Sequence, residues 1–443
     1  MIKGRLVLEG VVRLKSAALI GSGVRESTDI DILKDSKGRP YIPATSFVGV
    51  LRSTINYSDL DIFWGYTSDD NSAQSALSCD DLTLLDDTSP TIEVRDGIKI
   101  DPKTGKVAEG AKYDYEVIPP GTAFKMHLEA TYRADDKEQL ARLLKTIESN
   151  LKKKAIRIGA KTNSGLGRIV LEKSKLCDFD YSEKQNVLRW FKRDFENQPE
   201  YSGVEPRDLY DRSFSIDMTL VLKSSLIVRS YPSSPDAPDA VHMKSGDDHI
   251  IPGTSLKGAI RARALRIIKT LGKSEDILDE LFGYVYDDER EAQQRGRKKG
   301  DARKGRIRID EITLPRFVSE LQTRIKIDRF TGGTIEAALF ETKPLFSSAD
   351  NEEIKNVRIS IRDCRDHEAG LMLLVFKDLW TGDLAVGGEK NIGRGVFKGI
   401  SAEIRVNGKT IAIDHDLRKI RPEDLEEIER LVSSLVDYTG GAR

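Results

Sequence analysis

The feature that most constrains what this chain can fold into is that it repeats itself. Ile42 to Arg52 (IPATSFVGVLR) returns as Ile251 to Arg261 (IPGTSLKGAIR), and Phe63 to Tyr66 (FWGY) returns as Leu281 to Tyr284 (LFGY). Ile98 to Asp101 (IKID), followed by Thr104 and Gly105, returns as Ile325 to Asp328 (IKID), followed by Thr331 and Gly332. Gly159 to Gly167 (GAKTNSGLG) returns as Gly387 to Gly395 (GGEKNIGRG). The offsets are 209, 218, 227 and 228 residues, so order is kept and only loop lengths drift. Four matches in series mark a duplicated domain.

Each copy reads as mixed α/β. Phe214, Ile216, Met218, Leu220 and Leu222 alternate as a strand, and so do Phe124, Met126, Leu128, Ala130 and Tyr132. Leu140, Leu143, Leu144, Ile147 and Leu151 fall on one helical face, and Leu256, Ile260, Ile267, Ile268 and Leu271 keep helical spacing. Thr45 and Thr254, or the serines after them, stand where helix N-caps belong, just past a proline. A short strand is expected over Ile169 to Leu171. The order strand, helix, excursion, strand, helix, strand fits two tandem α+β domains of ferredoxin-like, RRM-like form with a sheet and helices on one face. The expected boundaries are 1–176 for the first copy, 177–212 for a linker, 213–403 for the second copy and 404–443 for a tail ending in an amphipathic helix (Leu425, Ile428, Leu431, Val432, Leu435).

Composition narrows the setting. The chain has 443 residues and a net charge of −1, so a nucleic-acid partner would have to be held by local basic clusters. Cys79, Cys177 and Cys364 lie far apart, which fits neither a disulfide framework nor a zinc site. No apolar run approaches the ~18 residues of a membrane span, and the start lacks a signal-peptide core, so the expectation is a cytoplasmic protein with no membrane partner.

Four kinds of segment could meet RNA. Glycine-rich loops let a phosphate approach the backbone, and here they carry Lys161, Asn163, Gly165, Gly167 and Arg168 in one copy, and Lys390, Asn391, Gly393, Arg394 and Gly395 in the other. The spacing is neither GxGxxG nor GxxxxGK[ST], and the loop precedes a strand, so a nucleotide-cofactor reading fails; a plain structural turn stays open. The Ile-Pro loops open helices whose N-termini favour phosphate, with Arg52 in one copy and Ser255, Lys257 and Arg261 in the other. Residues 290–308 hold nine Lys/Arg against two acids, which reads as a mobile basic loop. The IKID segments begin a hairpin excursion whose apolar tip could wedge between bases. His127, His242, His249, His367 and His415 do not recur between the copies, and His127 reads as a surface residue.

As a set, these landmarks resemble the RAMP proteins of CRISPR systems, and within them the type III effector backbone subunits, the Csm3-like or Cas7 group. Ile251 to Gly258 nearly reproduces that group's Ile-Pro-Gly-Ser-Ser-Leu-Lys-Gly motif, and a Phe-Gly motif, an Ile-Asp-x-x-Thr-Gly thumb and a Gly-rich loop follow in its order. The first copy departs, with Ala44, Phe47 and Val48 where the family has Gly, Leu and Lys. Two such domains in one chain resemble the fused backbone proteins of type III-D-like complexes.

The resemblance implies an RNA-binding backbone subunit that holds a crRNA guide paired to target RNA, beside Cas10-, Cas5- and Cas11-like subunits. It also implies target-RNA cleavage by an aspartate upstream of the Ile-Pro motif, a metal-dependent endoribonuclease activity with a divalent ion, expected to be Mg2+. Anchoring on Lys34 and Lys244 makes Asp29 equivalent to Asp239, with Asp31 and Asp236 as close competitors. No metal ligand set is singled out. A purely structural crRNA-binding subunit and a Cas6-like precursor-RNA endonuclease are the alternatives.

Overall fold

The computed structural model describes residues 1–443 except 24–25, 56, 58–60, 68–71, 87–88, 102–105, 134, 208–212, 233, 235, 287–288, 295, 337, 350–351, 417–419 and 440–443. The chain divides into two compact units. The first comprises 1–97, 113–162 and 166–210, and the second 98–112, 163–165 and 211–443.

The first copy of the repeat is built on β1 (Gly4–Leu14), α1 (Ala44–Thr54), β2 (Leu77–Cys79), a long hairpin of β3 (Glu93–Ile100) and β4 (Val107–Val117), then β5 (Ala123–Tyr132), α2 (Lys137–Lys152) and β6 (Ile169–Asp180). Its sheet runs β2-β5-β1-β6, with every neighbouring pair antiparallel. The alternation in β5 buries Phe124, Met126, Leu128, Ala130 and Tyr132 on the face that receives Leu140, Leu143, Leu144, Ile147 and Leu151 of α2. The strand expected to end at Leu171 runs to Asp180: it pairs along β1 to its end, with Leu176 buried on the helix-covered face and Cys177 and Phe179 buried on the other. Residues 177–180, expected in the linker, are therefore sheet. The opposite face is covered at that end: Val7, Cys177 and Phe179 pack under Tyr181, Trp190 and Phe195, with Trp190 carried on α3 (Lys184–Phe191).

The second unit repeats the plan with β7 (Phe214–Leu222), β8 (Ala240–His242), β9 (Asp248–Ile251), α4 (Gly253–Thr270), β10 (Ile307–Ile309), β11 (Phe340–Lys343), β12 (Glu353–Ile361), α5 (Asp366–Thr381), β13 (Phe397–Val406), β14 (Lys409–Asp414) and α6 (Pro422–Asp437). Its main sheet runs β10-β12-β7-β13-β14. The first four strands keep the order of the first unit, so the repetition in sequence is a repetition in topology. The tail contributes a fifth strand before its helix. On α6, Leu431 and Leu435 are buried, Ile428 and Val432 are partly buried, and Leu425 stays exposed. Gly370 of α5 permits this docking, since a Cβ there would fall on the Leu431 carbonyl. The basic segment is more ordered than expected: Glu289–Gln294 is helical, and Ala302–Lys304 pairs with Gly283–Val285. Among the described residues, no helix is long and apolar enough to cross a membrane.

Candidate nucleic-acid interface

The glycine-rich loops match residue for residue. Gly159 and Gly387 have φ of +77° and +91°, Gly165 and Gly393 +95° and +83°, and Gly167 and Gly395 +74° and +71°. Between them, Lys161 and Glu389 are left-handed at +53° and +55°, and Thr162–Ser164 and Lys390–Ile392 each make a 3-10 turn. The closing hydrogen bonds also repeat: Gly167 N–H donates to Ala17 O at 2.8 Å, and Gly395 N–H to Ser225 O at 2.7 Å. A Cβ at Gly395 would fall on the Val386 carbonyl oxygen, and one at Gly167 on that of Ile158. Glycine is thus required by both φ and space. Gly395→Ala is expected to cost at least about 1–3 kcal/mol from strain alone, read as a lower urea midpoint.

The loops differ in what their side chains do. Lys161 lies over Tyr113 and Tyr115, 4.3 and 4.0 Å from the ring centres, and its Nζ donates to Tyr113 Oη at 2.5 Å. Asn163 and Gly165 are buried and belong to the second unit, where Asn163 Nδ2 donates to the Gly305 carbonyl. Arg168 is half-buried, its backbone N–H on Ser16 Oγ. Arg394 is 3% exposed; its guanidinium donates to Glu389 Oε2 (2.7 Å), Ser225 Oγ (2.8 Å) and Gln322 Oε1 (2.5 Å). Arg229 and Arg324 reach the same Glu389 at 3.0 and 2.9 Å. Burial by itself would raise the Glu389 carboxyl, but Arg229, Arg394 and Arg324 outweigh it and hold it low. Arg394 therefore braces the loop from inside, while Lys390, Asn391 and Gly393 present its exposed rim.

The Ile-Pro loops open helices two or three residues earlier than the sequence implied. Pro43 and Pro252 are the N-cap residues, neither with a side-chain cap, so Thr45, Ser46, Thr254 and Ser255 sit inside the first turn. In the first unit, Asp81 Oδ1 accepts the Ala44 N–H at 2.7 Å, so a carboxylate already occupies this helix terminus. Arg52 lies exposed in the last turn of α1. In the second unit, α4 carries positive charge instead. Burial first, then Arg261 and Lys304, push the Lys257 ammonium down to about 8. Burial, Arg362 and Arg308 likewise lower Lys304. Arg261 and Lys304 thus stand close enough to Lys257 to lower its pKa, and a phosphate would supply the opposing charge.

This has a measurable consequence. The Lys257 pKa is about 8, against ~10.4 in an unfolded chain. Between those values the unfolded chain holds a proton that the folded protein has lost, so stability rises with pH through that window. Lys257→Met is expected to raise Tm at pH 7 in the absence of RNA, by about 2–4 °C if ~1 kcal/mol of repulsion is relieved. Thermal unfolding with and without RNA checks it.

The candidate aspartates separate into two roles. Asp31 is buried and accepts hydrogen bonds from the backbone N–H groups of Glu26 (2.5 Å), Ser27 (3.2 Å) and Thr28 (2.9 Å) and from Thr28 Oγ1 (2.8 Å). The Glu26 amide first, and then the Thr28 hydroxyl, hold its carboxyl at about 2. Asp31 ties the loop together. Asp29 is exposed two residues earlier; its backbone N–H donates to Asp114 Oδ1 at 2.8 Å, and its Oδ2 accepts the Asp114 N–H at 3.1 Å. In the second unit, exposed Asp239 Oδ2 accepts the Glu341 N–H at 2.8 Å. The residues that follow are matched too, Ile30 bridging Tyr115 in parallel and Ala240 pairing with Thr342 in parallel. Asp29 and Asp239 thus occupy one structural position, each beside a second acid. Asp236 is exposed on a turn closed by Ala237 N–H to Ser234 O.

In the second unit the IKID motif makes a turn. Asp328 Oδ1 accepts the N–H groups of Phe330 (2.8 Å) and Thr331 (2.9 Å), and Ile327 bridges Thr334. Phe330 is 92% exposed, with Ile325, Ile327 and Leu339 also exposed. In the first copy of the repeat β3 and β4 form the matching hairpin, while Thr104 and Gly105 lie outside the described residues, as Arg295 of the basic segment does. His127 is not a free surface residue: its Nδ1 pairs with Glu9 Oε1 at 2.9 Å, and its ring packs on Phe195.

Residues that sequence reasoning missed are Asp114 and Glu341. They had a signal, since the 227-residue offset of the IKID segments carries Asp114 onto Glu341.

Among the described residues, no group of three or more His, Cys, Asp or Glu is placed to hold a metal ion. No curated protein matches the chain. The family model of the RAMP superfamily, which is associated with crRNA-binding complexes of CRISPR systems, matches residues 11–170 and again 219–398, one match on each copy of the repeat. Together these matches span well over half of the sequence, and the chain belongs to the RAMP superfamily.

Proposed function

We propose that this chain is a crRNA-binding backbone subunit of a type III CRISPR effector, made of two fused Cas7-like domains, which cleaves the target RNA at one or two sites. Ferredoxin-like topology is supported by the shared order β2-β5-β1-β6 and β10-β12-β7-β13. The observation that carries the reading is the pair of equivalent, exposed aspartates, Asp29 and Asp239, each seated on the backbone amide of a neighbouring acid. Guide RNA would follow the exposed rim of the glycine-rich loops and the Lys257–Arg261–Lys304 cluster, while base pairing supplies sequence choice. The exposed Phe330 tip is suited to separate stacked bases and splay one nucleotide.

Cleavage would proceed by attack of a ribose 2′-OH on the adjacent phosphorus, breaking the P–O5′ bond to leave a 2′,3′-cyclic phosphate and a 5′-OH. Asp29 or Asp239 can take the 2′-OH proton, and holding the nucleotide splayed brings nucleophile and leaving oxygen into line. Two acids suit a Mg2+ ion only as a partial ligand set, since Mg2+ commonly binds one or two carboxylates with substrate phosphate and water completing its shell. On this reading Asp29 with Asp114, and Asp239 with Glu341, would hold the ion, which when bound stabilises charge developing on the phosphate.

A Cas6-like histidine mechanism is disfavoured at His242, whose Nδ1 accepts the Val228 N–H and whose Nε2 donates to Ile250 O. Cas10-, Cas5- and Cas11-like partners and a cytoplasmic setting follow from the same proposal. Affinity purification with sequencing of bound RNA tests it. Repeat-derived guides are expected, and RNA-free protein from a host carrying the matching repeat array would overturn it.

A further inference from the structure

Beside Asp239, the second unit contains a cleft of about 340 Å³ lined by Ser230, Val241, His242, Lys244, His249, Ser319 and Lys343. Among the described residues its wall holds two lysines, two imidazoles and two hydroxyls, and no carboxylate. Lys244 and Lys343 have no carboxylate partner among the described residues. The His242 and His249 rings meet edge to face at 5.8 Å, and the buried Nδ1 of His249 has no hydrogen-bond partner. A buried polar atom left so is costly unless a ligand supplies the partner.

The first unit shows what the same place looks like when it is closed. The anchoring of Lys34 on Lys244, and of Asp114 on Glu341, sets Ile32 opposite His242 and Glu116 opposite Lys343. There Glu116 accepts the Ile32 N–H at 3.0 Å and the Lys34 Nζ at 3.1 Å, an internal anion held by the equivalent lysine. In the second unit that anion is replaced by Lys343, so the charge of Lys244 is doubled where in the first unit it is cancelled.

We propose that this cleft is a phosphate-binding site unique to the second copy, and that it takes a phosphodiester of an RNA strand and holds it next to Asp239. The inference rests on the RNA-binding reading above. His249 supports it electrostatically: burial first, and then Lys244 and Lys343, lower its pKa against the opposing pull of Asp248, so at neutral pH it acts as a neutral hydrogen-bonding group beside two cations. Ser230 and Ser319 add hydroxyl donors suited to phosphate oxygens. The two copies would then grip RNA unequally near their aspartates.

The test uses the full chain and the variant Lys343→Glu, which rebuilds the first copy's closed arrangement against Lys244. Lys355→Glu, on an exposed strand position, makes the same change of net charge elsewhere. Binding of a fluorescein-labelled single-stranded RNA is followed by anisotropy, with inorganic phosphate competing against chloride at constant ionic strength. Lys343→Glu is expected to weaken RNA binding about tenfold more than Lys355→Glu and to abolish the excess competition by phosphate. Equal RNA affinity and equal phosphate sensitivity in the two variants would overturn the proposal. A parallel arm follows the 31P line width of inorganic phosphate. Broadening lost in Lys343→Glu while its RNA affinity matches Lys355→Glu would mean a site for free phosphate, and would overturn the phosphodiester assignment. Wild-type protein that binds no RNA would instead refute the RNA-binding reading, and the 31P arm would then decide by itself whether the cleft binds phosphate.

Discussion

Asp29→Ala and Asp239→Ala are each expected to abolish one cut in a complementary target RNA, slowing that position by about 10²–10⁴, with guide binding unchanged. Both carboxylates are exposed, and each accepts one backbone N–H, so truncation removes a base or a metal-binding oxygen without opening a core. Two equivalent positions in two copies should act at two separate phosphates. Asp31→Ala provides the contrast. Its four hydrogen bonds organise the loop, so it should lower the Tm and blur the Asp29 cut. The assay is end-labelled target RNA with the assembled complex, resolved to single nucleotides, with and without a chelator of divalent ions. A double variant of Asp29 and Asp239 that cuts with the wild-type pattern would end the catalytic assignment and turn attention to Asp31 and Asp236. Loss of one cut only would leave the other copy as a binding module.

Removing Lys257, Arg261 and Lys304 together, as alanines, is expected to weaken guide-RNA binding by roughly 10² at low salt. If each phosphate contact contributes ~1 kcal/mol, three remove ~3 kcal/mol, which is about two decades in Kd. The salt dependence should flatten at the same time: with ~0.7 counterions released per contact on a single strand, the slope of log K against log salt should fall in magnitude by about 2. Arg52→Ala should have a smaller effect, because Asp81 already occupies the amide end of α1. Unchanged affinity and slope in the triple variant would show that RNA passes elsewhere. Fluorescence anisotropy at several salt concentrations supplies both numbers.

Much of this molecule was legible as a string. The repeat located both copies, the alternation in Phe124 to Tyr132 located a strand and its buried face, and anchoring on two lysines placed Asp29 on Asp239, which the matched hydrogen bonds to Asp114 and Glu341 give a structural form. These features are local or recur in the same order, so side-chain period and spacing carry them. Other features depended on partners far along the chain. Cys177 to Asp180 resembled linker because its pairing partner, β1, lies at the other end of the first copy. Arg394 resembled a phosphate contact until its burial against Glu389, Ser225 and Gln322 gave its guanidinium three internal acceptors. Asp31 and Asp29 are alike in sequence, but only one of them collects the loop's amides. The amino-acid sequence by itself determined the duplication, the order of the main strands and helices and the short set of candidate residues, because backbone period and glycine conformation are local. Only the tertiary structure decided which charges are neutralised and which stay exposed, because a charge's partner is set by distance in space.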